Sequence, residues 1–374
     1  MYKIGVIGSG SRMTPLVKNV IAKEGFELSA VCDLQIESVK EKYKDCPNVK
    51  FYTDAEKMLK SETLDGVMIG TRCSLHTHFM QLAAKYKIPT FLEKPVCINE
   101  EQLHILEGLQ DMSDKVVVSF PLRNTAIVNC VRDIIKSGKL GQIAHVQAYN
   151  NVPYARCYYH TWYRDENETS GLWLQKATHD FDYINSLLYD IKPVRICAVS
   201  SKQVFKGDMP AGQKCTDCPK RKECPESAQN VAGYGDKYEV GDSCCFAVDT
   251  GNQDSGSAII EYSNGMHAVY SQDFIARKGA GKRGARLIGY YGTVEFDFVT
   301  GKVQVFYHNE DRTETHTFAK GHGHFGGDAA LINNFCDVVA GCDTSRSPLN
   351  DGILSAKMCL LAKKSAEQKI FCQI

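Results

Sequence analysis

The feature that most constrains this chain is the alternation in its first 119 residues. Short apolar runs suited to buried strands, at residues 2–7, 27–33, 66–70, 90–93 and 115–119, are separated by stretches with helical spacing at 14–23, 36–43, 75–86 and 100–111. Parallel strands cannot be joined by tight turns and need a crossover, usually a helix. The alternation therefore predicts an α/β fold with a doubly wound parallel sheet.

Past Gly141 the texture changes. A strand is expected at 143–150 and one long helix at 173–188. Strands joined by short turns such as Ser263-Asn264-Gly265 follow at 195–200, 256–262, 267–274, 285–289, 293–298, 303–307 and 313–318. This pattern predicts a second α/β domain with a large, mostly antiparallel open sheet. Helical stretches at 328–341 and 351–368 close the chain. The expected division is 1–122 for a nucleotide-binding domain and 123–374 for a substrate-binding and oligomerisation domain. The second holds an irregular cysteine-containing insertion at 203–240 and a C-terminal helical segment at 351–374.

Composition narrows the partners. The 44 basic and 44 acidic residues cancel, and no basic block or stripe stands out. Nucleic acid and an anionic membrane surface are therefore not expected as partners. The apolar run at 4–7 is too short for a signal peptide, and no stretch approaches the roughly 18 apolar residues of a spanning helix. A cytoplasmic protein is expected.

The first strand leads into Gly8-Ser9-Gly10-Ser11-Arg12-Met13 and then a helix. Glycines let the backbone turn tightly and approach a pyrophosphate, and a helix start offers N–H groups and a favourable dipole. Met13 stands where the usual fingerprint has a third glycine. Asp33 ends the second strand, where a carboxylate suits the ribose 2′-hydroxyl of NAD and repels the 2′-phosphate of NADP. NAD is expected over NADP.

Two further pieces carry chemistry. The fourth strand ends in Glu93-Lys94-Pro95, and ligands of open parallel sheets sit beyond the carboxyl ends of strands. A lysine beside a cationic nicotinamide gives up its proton readily, which suits exchange with an alcohol. The second piece is Gln175-Lys176-Ala177-Thr178-His179-Asp180-Phe181-Asp182. On a regular helix, residues 175 and 179 share a face, as do 176, 179 and 182. His179 can act as acid or base near neutral pH, with Asp182 orienting it or binding substrate hydroxyls. Arg123, Tyr154, Trp162, Tyr163 and Arg164 are candidate contacts to a sugar, since aromatics suit sugar faces and arginines suit hydroxyls.

Together, Gly8-Ser9-Gly10, Glu93-Lys94-Pro95, the helix around His179, Thr71 followed by His76, and Ser137-Gly138-Lys139-Leu140-Gly141-Gln142-Ile143 resemble the Gfo/Idh/MocA oxidoreductase family over essentially the whole chain. The resemblance implies an N-terminal Rossmann domain and a C-terminal domain with an open sheet often used for oligomerisation, hence a homodimer or homotetramer. It implies a substrate lying between the domains, with Lys94 and His179 catalytic and with Thr71, Arg72, His76 and Glu93 on the cofactor side. It also implies a substrate-facing His-x-Gly-Gly-Asp element, matched here by His324 and Asp328. That element lies within Lys320-Gly321-His322-Gly323-His324-Phe325-Gly326-Gly327-Asp328. Many members act on sugars and cyclitols.

The sequence departs from the pattern. Gln175 stands where the family's dehydrogenases usually have Asp, Lys176 follows it, and Arg72 replaces the usual proline. The main expectation is an enzyme taking hydride from a carbinol carbon of a sugar, a cyclitol or a derivative. The alternatives are a redox-neutral glycosidase or lyase that oxidises, eliminates and returns the hydride, and an NAD-binding regulatory protein.

Cys215, Cys218 and Cys224 have C-x2-C-x5-C spacing, with Cys244 or Cys245 available as a fourth thiolate. Four thiolates suit structural zinc or, less well, an iron–sulfur cluster, and a long irregular loop needs some staple to be ordered.

Overall fold

The computed structural model describes residues 1–227, 230, 241–319 and 321–374. Part of the insertion at 203–240, and Lys320, lie outside the described residues, as does the side chain of His322. The chain forms two compact units, residues 1–126 with 321–357, and residues 127–320 with 358–374.

The first unit is built on six strands: β1 (Tyr2–Ile7), β2 (Phe26–Cys32), β3 (Lys50–Tyr52), β4 (Gly66–Ile69), β5 (Thr90–Leu92) and β6 (Val116–Val118). All pair in parallel, in the order β3-β2-β1-β4-β5-β6. Strand order reverses beside β1, and that reversal opens a crevice at the carboxyl ends of the strands. The sequence reading found five of these strands. The sixth, β3, is a three-residue edge strand reading Lys-Phe-Tyr with no fully buried residue, so it leaves no apolar run to detect.

Ile4, Val6, Met68, Phe91 and Val117 form the core with Val17 and Val20 of the helix Met13–Ile21. Leu331, Ile332 and Phe335 of the helix Gly327–Val339 join the same core, and Phe335 meets Phe91 edge-on with centroids 5.8 Å apart. The expected division at 122/123 falls close to the change of unit after Ala126, but the first unit also takes in a later segment. Residues 321–357 return to the first unit because the apolar face of Gly327–Val339 is buried there rather than in the second.

The second unit carries nine strands: β7 (Ile143–Asn151), β8 (Pro193–Ser201), β9 (Ser255–Tyr262), β10 (His267–Asp273), β11 (Lys282–Gly289), β12 (Gly292–Asp297), β13 (Lys302–Tyr307), β14 (Thr313–Thr317) and β15 (Cys372–Gln373). Their order is β14-β13-β12-β11-β7-β10-β9-β8-β15, antiparallel except where β10 pairs β7. Buried residues alternate along β7, β9 and β10, as in a sheet with one covered face. The helix read over 351–368 spans Leu349–Gln368, and within the C-terminal segment 351–374 Cys372–Gln373 adds an edge strand to β8.

The expected single helix over 173–188 is a π-helical turn, Trp173–Ala177, followed by an α-helix, Thr178–Leu187. Among the described residues no helix is long and apolar enough to cross a membrane.

Candidate active-site residues in the two units

In the first unit, the chain leaves β1 through Gly8 at φ +80°, where a Cβ would stand 2.7 Å from the Thr71 methyl. Only glycine fits that turn. The Ser9 N–H donates to Asp33 Oδ2 at 2.8 Å and Gln35 N–H to Oδ1 at 2.9 Å, which fixes the carboxylate at the end of β2. Ser9 Oγ and Tyr43 Oη are hydrogen-bonded at 2.6 Å, and Lys42 Nζ donates to the Ser9 carbonyl at 2.6 Å. A Cβ on Gly10 would meet nothing within 4 Å, so that stretch of backbone lies open. Ser11 is exposed, and Met13 is buried against Gly70.

Arg12 faces inward along the strand ends. Its Nε donates to Glu93 Oε1 at 3.1 Å, and Nη1 and Nη2 donate to the two Asp328 oxygens at 2.8 and 2.6 Å. Ser119 Oγ also donates to Glu93 Oε1, at 3.0 Å, and His324 Nδ1 lies 3.1 Å from Asp328. Burial opposes ionisation of Asp328, but the hydrogen bonds from Arg12 and His324 outweigh it and hold the carboxyl well below its usual range. Burial likewise opposes the Arg12 charge, and Glu93 and Asp328 more than restore it. His324 and Phe325 both have positive φ, a conformation costing a non-glycine residue on the order of 1–3 kcal/mol. The Asp328 carboxylate anchors this segment through His324.

Lys94 is half-buried and follows Glu93 directly; the Lys94–Pro95 peptide is cis. His76 is buried with Nδ1 2.7 Å from the Pro95 carbonyl and Nε2 3.2 Å from the Thr71 carbonyl. Its ring thus ties the loop of Thr71 and exposed Arg72 to the loop of Lys94. Burial pulls its pKa down, against those two carbonyls. Arg123, expected in the substrate domain, lies in the first unit. Its guanidinium donates to the Arg346 carbonyl at 3.0 Å and to Asp351 at 2.7 Å, a structural tie.

In the second unit, the helix around His179 is buried on every side rather than presenting one solvated polar face. Gln175, Lys176, His179, Asp180 and Asp182 are all buried. The π-helical turn adds roughly one residue to that turn, so positions before residue 178 fall out of phase with a regular helix. Gln175 Nε2 reaches the Thr169 carbonyl at 3.4 Å. Lys176 Nζ donates to Tyr154 Oη at 2.6 Å and lies 4.3 and 4.7 Å from the Tyr154 and Tyr158 ring centres. Burial and the Arg283 charge bring the Lys176 pKa down to about 7.

The sequence reading missed Asp180 and Arg283. Asp180, 0% exposed, accepts from Arg283 Nε at 2.8 Å, Asn150 Nδ2 at 2.8 Å and Tyr270 Oη at 2.9 Å. Adjacency to His179 was the available signal, but regular-helix phasing directed attention to Asp182.

Trp162 and Tyr163 stack at 3.9 Å, both partly exposed. Arg164 is buried on Asp249 at 2.6 Å and Thr250 at 2.7 Å, which is again structural. Antiparallel pairing of Lys214 with Ser243 brings the Cys215 and Cys244 segments side by side. Among the described residues, however, no group of three or more His, Cys, Asp or Glu side chains could hold a metal ion. The zinc and iron–sulfur expectation for Cys215, Cys218, Cys224 and Cys244 therefore lacks a ligand cage there. Polar contacts tie the described part of the insertion to its surroundings. Glu226 pairs with Arg156 at 2.9 Å and Arg277 at 3.3 Å, and Asp254 accepts the backbone N–H groups of Gln203, Val204 and Phe205.

Comparison with known proteins agrees with this architecture. Residues 2–120 match the family model described as "Oxidoreductase family, NAD-binding Rossmann fold", and residues 128–295 match that of the GFO/IDH/MocA C-terminal domain. The Bacillus subtilis (strain 168) protein YteT, named for its assignment to the oxidoreductases, is 23% identical over 350 residues, covering 82% of this chain and 80% of that protein. Myo-inositol 2-dehydrogenase of Thermotoga maritima is 21% identical over 183 residues, covering 48% of this chain and 53% of that protein. The solved structure of a levoglucosan dehydrogenase in complex with NADH and levoglucosan superposes with TM-score 0.79 at 15% identity, covering 100% of this chain and 99% of that one. The chain belongs to the Gfo/Idh/MocA oxidoreductase family, with an NAD-binding Rossmann fold in its first unit.

Proposed function

We propose that this protein is an NAD-dependent oxidoreductase that moves hydride to or from a carbinol carbon of a sugar, a cyclitol or one of their derivatives. The observation that carries the reading is the cradle after β1. Gly8 turns where no side chain fits, Gly10 leaves open backbone, and the Asp33 carboxylate is fixed at the end of β2 by two N–H donors. These residues fit a dinucleotide with a free ribose 2′-hydroxyl, which Asp33 would accept from, and they disfavour a 2′-phosphate. Ser9 to Met13 would line the pyrophosphate, and the Thr71, Arg72, His76 and Glu93 cluster would support the nicotinamide end.

NAD, when bound, supplies the hydride acceptor. Lys94 in the first unit and His179 in the second are the residues assigned catalytic roles, Lys94 in proton exchange with the alcohol and His179 as acid or base. Asp328 and His324 in the first unit, and Gln175, Asp182, Tyr154 and Trp162 in the second, are the candidate contacts to the remaining hydroxyls. Arg123 and Arg164 support the scaffold through their own carboxylate partners. The relatives named for myo-inositol and levoglucosan support a polyhydroxylated ring as the substrate class.

The test is NADH formation from NAD with a panel of free sugars and cyclitols. Lys94→Ala and His179→Ala should abolish turnover, while Lys94→Ala keeps NAD binding. Release of an aglycone from a chromogenic glycoside, dependent on NAD but without NADH, would replace this reading with the redox-neutral one.

A further inference from the structure

Arg12 lies in the turn that the reading above assigns to the pyrophosphate, yet its charge is engaged elsewhere in the first unit. Four of the five guanidinium N–H groups have protein acceptors. Nε donates to Glu93 Oε1 at 3.1 Å and Nη1 to Asp328 Oδ2 at 2.8 Å. Nη2 donates to Asp328 Oδ1 at 2.6 Å and to Ser119 Oγ at 3.5 Å. The two carboxylates come from positions 81 and 316 residues away in the chain. Both are nearly buried, while the Arg12 side chain is 37% exposed.

Each carboxylate holds a further group. Glu93 Oε2 accepts the Lys94 backbone N–H at 3.3 Å, and Glu93 Oε1 also accepts from Ser119 Oγ at 3.0 Å. Asp328 holds His324, whose Nδ1 lies 3.1 and 3.2 Å from its two oxygens. His324 falls in a run of four residues with positive φ, Gly323 to Gly326, at +56°, +43°, +58° and +88°. Non-glycine residues keep such values only where their surroundings impose them. One guanidinium thus touches both the carboxylate beside Lys94 and the carboxylate that restrains His324.

The chemistry of the fork suits that task. A planar guanidinium makes two parallel bonds to a carboxylate and fixes its orientation, which the point charge of a lysine ammonium does not. Burial opposes the Asp328 charge, and the hydrogen bonds from Arg12 and His324 outweigh it. A direct bond from Arg12 to a cofactor phosphate, the other use for a cation in this turn, would give up these contacts.

We propose that Arg12 is a positioning residue that sets the Lys94 strand end and the His324 segment from within the nucleotide loop. It acts through Glu93 and Asp328 and does not itself contact the substrate. The proposal rests on the oxidoreductase reading for the roles of Lys94 and His324, whereas the tie itself lies wholly within the first unit.

The first arm of the test needs no substrate and uses hydrogen exchange of the full-length protein. In Arg12→Gln, exchange at the Lys94 amide and across Gly323–Gly326, where the Gly326 N–H donates to the Gly323 carbonyl, should both quicken by about 10-fold or more. The β1 strand should keep its protection. Affinity for NAD, by fluorescence titration, should change by less than about 3-fold. Unchanged exchange at either site overturns the tie. A fall in NAD affinity of about 10-fold or more overturns it in favour of a direct phosphate contact. If Arg12→Gln fails to fold, Arg12→Lys, which keeps the charge and loses the fork, carries the same comparison.

The second arm uses myo-inositol and levoglucosan with NAD. Arg12→Gln should lower kcat by about 100-fold, the effect of a small misplacement of reacting groups, with KM within about 3-fold of wild type. Arg12→Lys should lose less. Because the Arg12 side chain is partly exposed, methylguanidine should restore part of kcat to Arg12→Ala. A kcat per folded molecule that is unchanged in Arg12→Gln, with only Tm lowered, reduces Arg12 to a structural tie and overturns the proposal. Absence of wild-type turnover on either compound counts against the oxidoreductase reading, while the exchange arm still decides the tie.

Discussion

Replacing Asp180 by Asn should destabilise the second unit more than any other single change to the polar groups of its helix. Asp180 is wholly buried and receives three hydrogen bonds of 2.8–2.9 Å from Arg283, Asn150 and Tyr270. The substitution leaves a buried guanidinium without its counter-charge, and breaking such a pair costs about 3–5 kcal/mol. In a unit of roughly 200 residues this corresponds to a fall in Tm of about 6–20 °C.

The readout is clean because both tryptophans of the chain, Trp162 and Trp173, lie in the second unit, so intrinsic fluorescence follows its unfolding. Arg283→Met alone should be similarly destabilising, because it strands the carboxylate. The double variant should recover part of the loss, giving a coupling of about 1–3 kcal/mol in a double-mutant cycle. A Tm change below about 2 °C for Asp180→Asn, or a coupling indistinguishable from zero, would refute the view that this pair anchors the helix carrying His179.

Three further outcomes are expected. Asp33→Ala should weaken NAD binding about 10- to 100-fold by fluorescence titration, since a charge-assisted hydrogen bond is worth about 1.5–3 kcal/mol, and should narrow the preference over NADP; unchanged NAD affinity would exclude Asp33 from the ribose. The Asp328 carboxyl is held below its ordinary value, so its contribution to stability is complete above about pH 4 and is lost as pH falls through the folded value. Hydrogen-exchange protection of Gly327–Val339 should therefore fall with acidification in the wild type and depend less on pH in Asp328→Asn. Lys176 is displaced in the opposite sense for stability. A lysine whose pKa is lowered on folding penalises the fold fully below about pH 7, and the penalty fades as pH rises towards the unfolded value of about 10.4. Lys176→Met should thus gain stability relative to wild type at pH 6, with the gain shrinking at higher pH in urea titrations followed by fluorescence.

The parallel sheet was legible because strands buried on both faces, such as Val67–Ile69 and Val116–Val118, leave unbroken apolar runs between helical stretches. The turn after β1 was legible because its positive-φ backbone demands glycine at position 8, and the carboxylate at the end of the next strand, Asp33, closes on that turn through the Ser9 N–H. What the sequence concealed has physical causes. The edge strand Lys50–Tyr52 buries too little to imprint a pattern. The return of residues 321–357 to the first unit depends on which of two cores accepts an apolar helix face, and periodicity is silent on that choice. The π-helical turn at Trp173–Ala177 breaks the 3.6-residue phase on which the face argument depended for Gln175 and Lys176, and Asp180, buried like Asp182, proved to be the acid that pairs with Arg283. Arg123 and Arg164 look like ligand contacts in sequence. Their partners, Asp351 and Asp249, are 228 and 85 residues away, and only the fold pairs them.

The most direct test of the central claim is to incubate the purified protein with NAD and a panel of free sugars, cyclitols and chromogenic glycosides, following NADH and aglycone release together. The account predicts NADH accumulation with at least one free polyol or sugar, abolished by Lys94→Ala and by His179→Ala, with no aglycone released. Aglycone release that requires NAD yet leaves no NADH, or NADH formation untouched by either substitution, would contradict it.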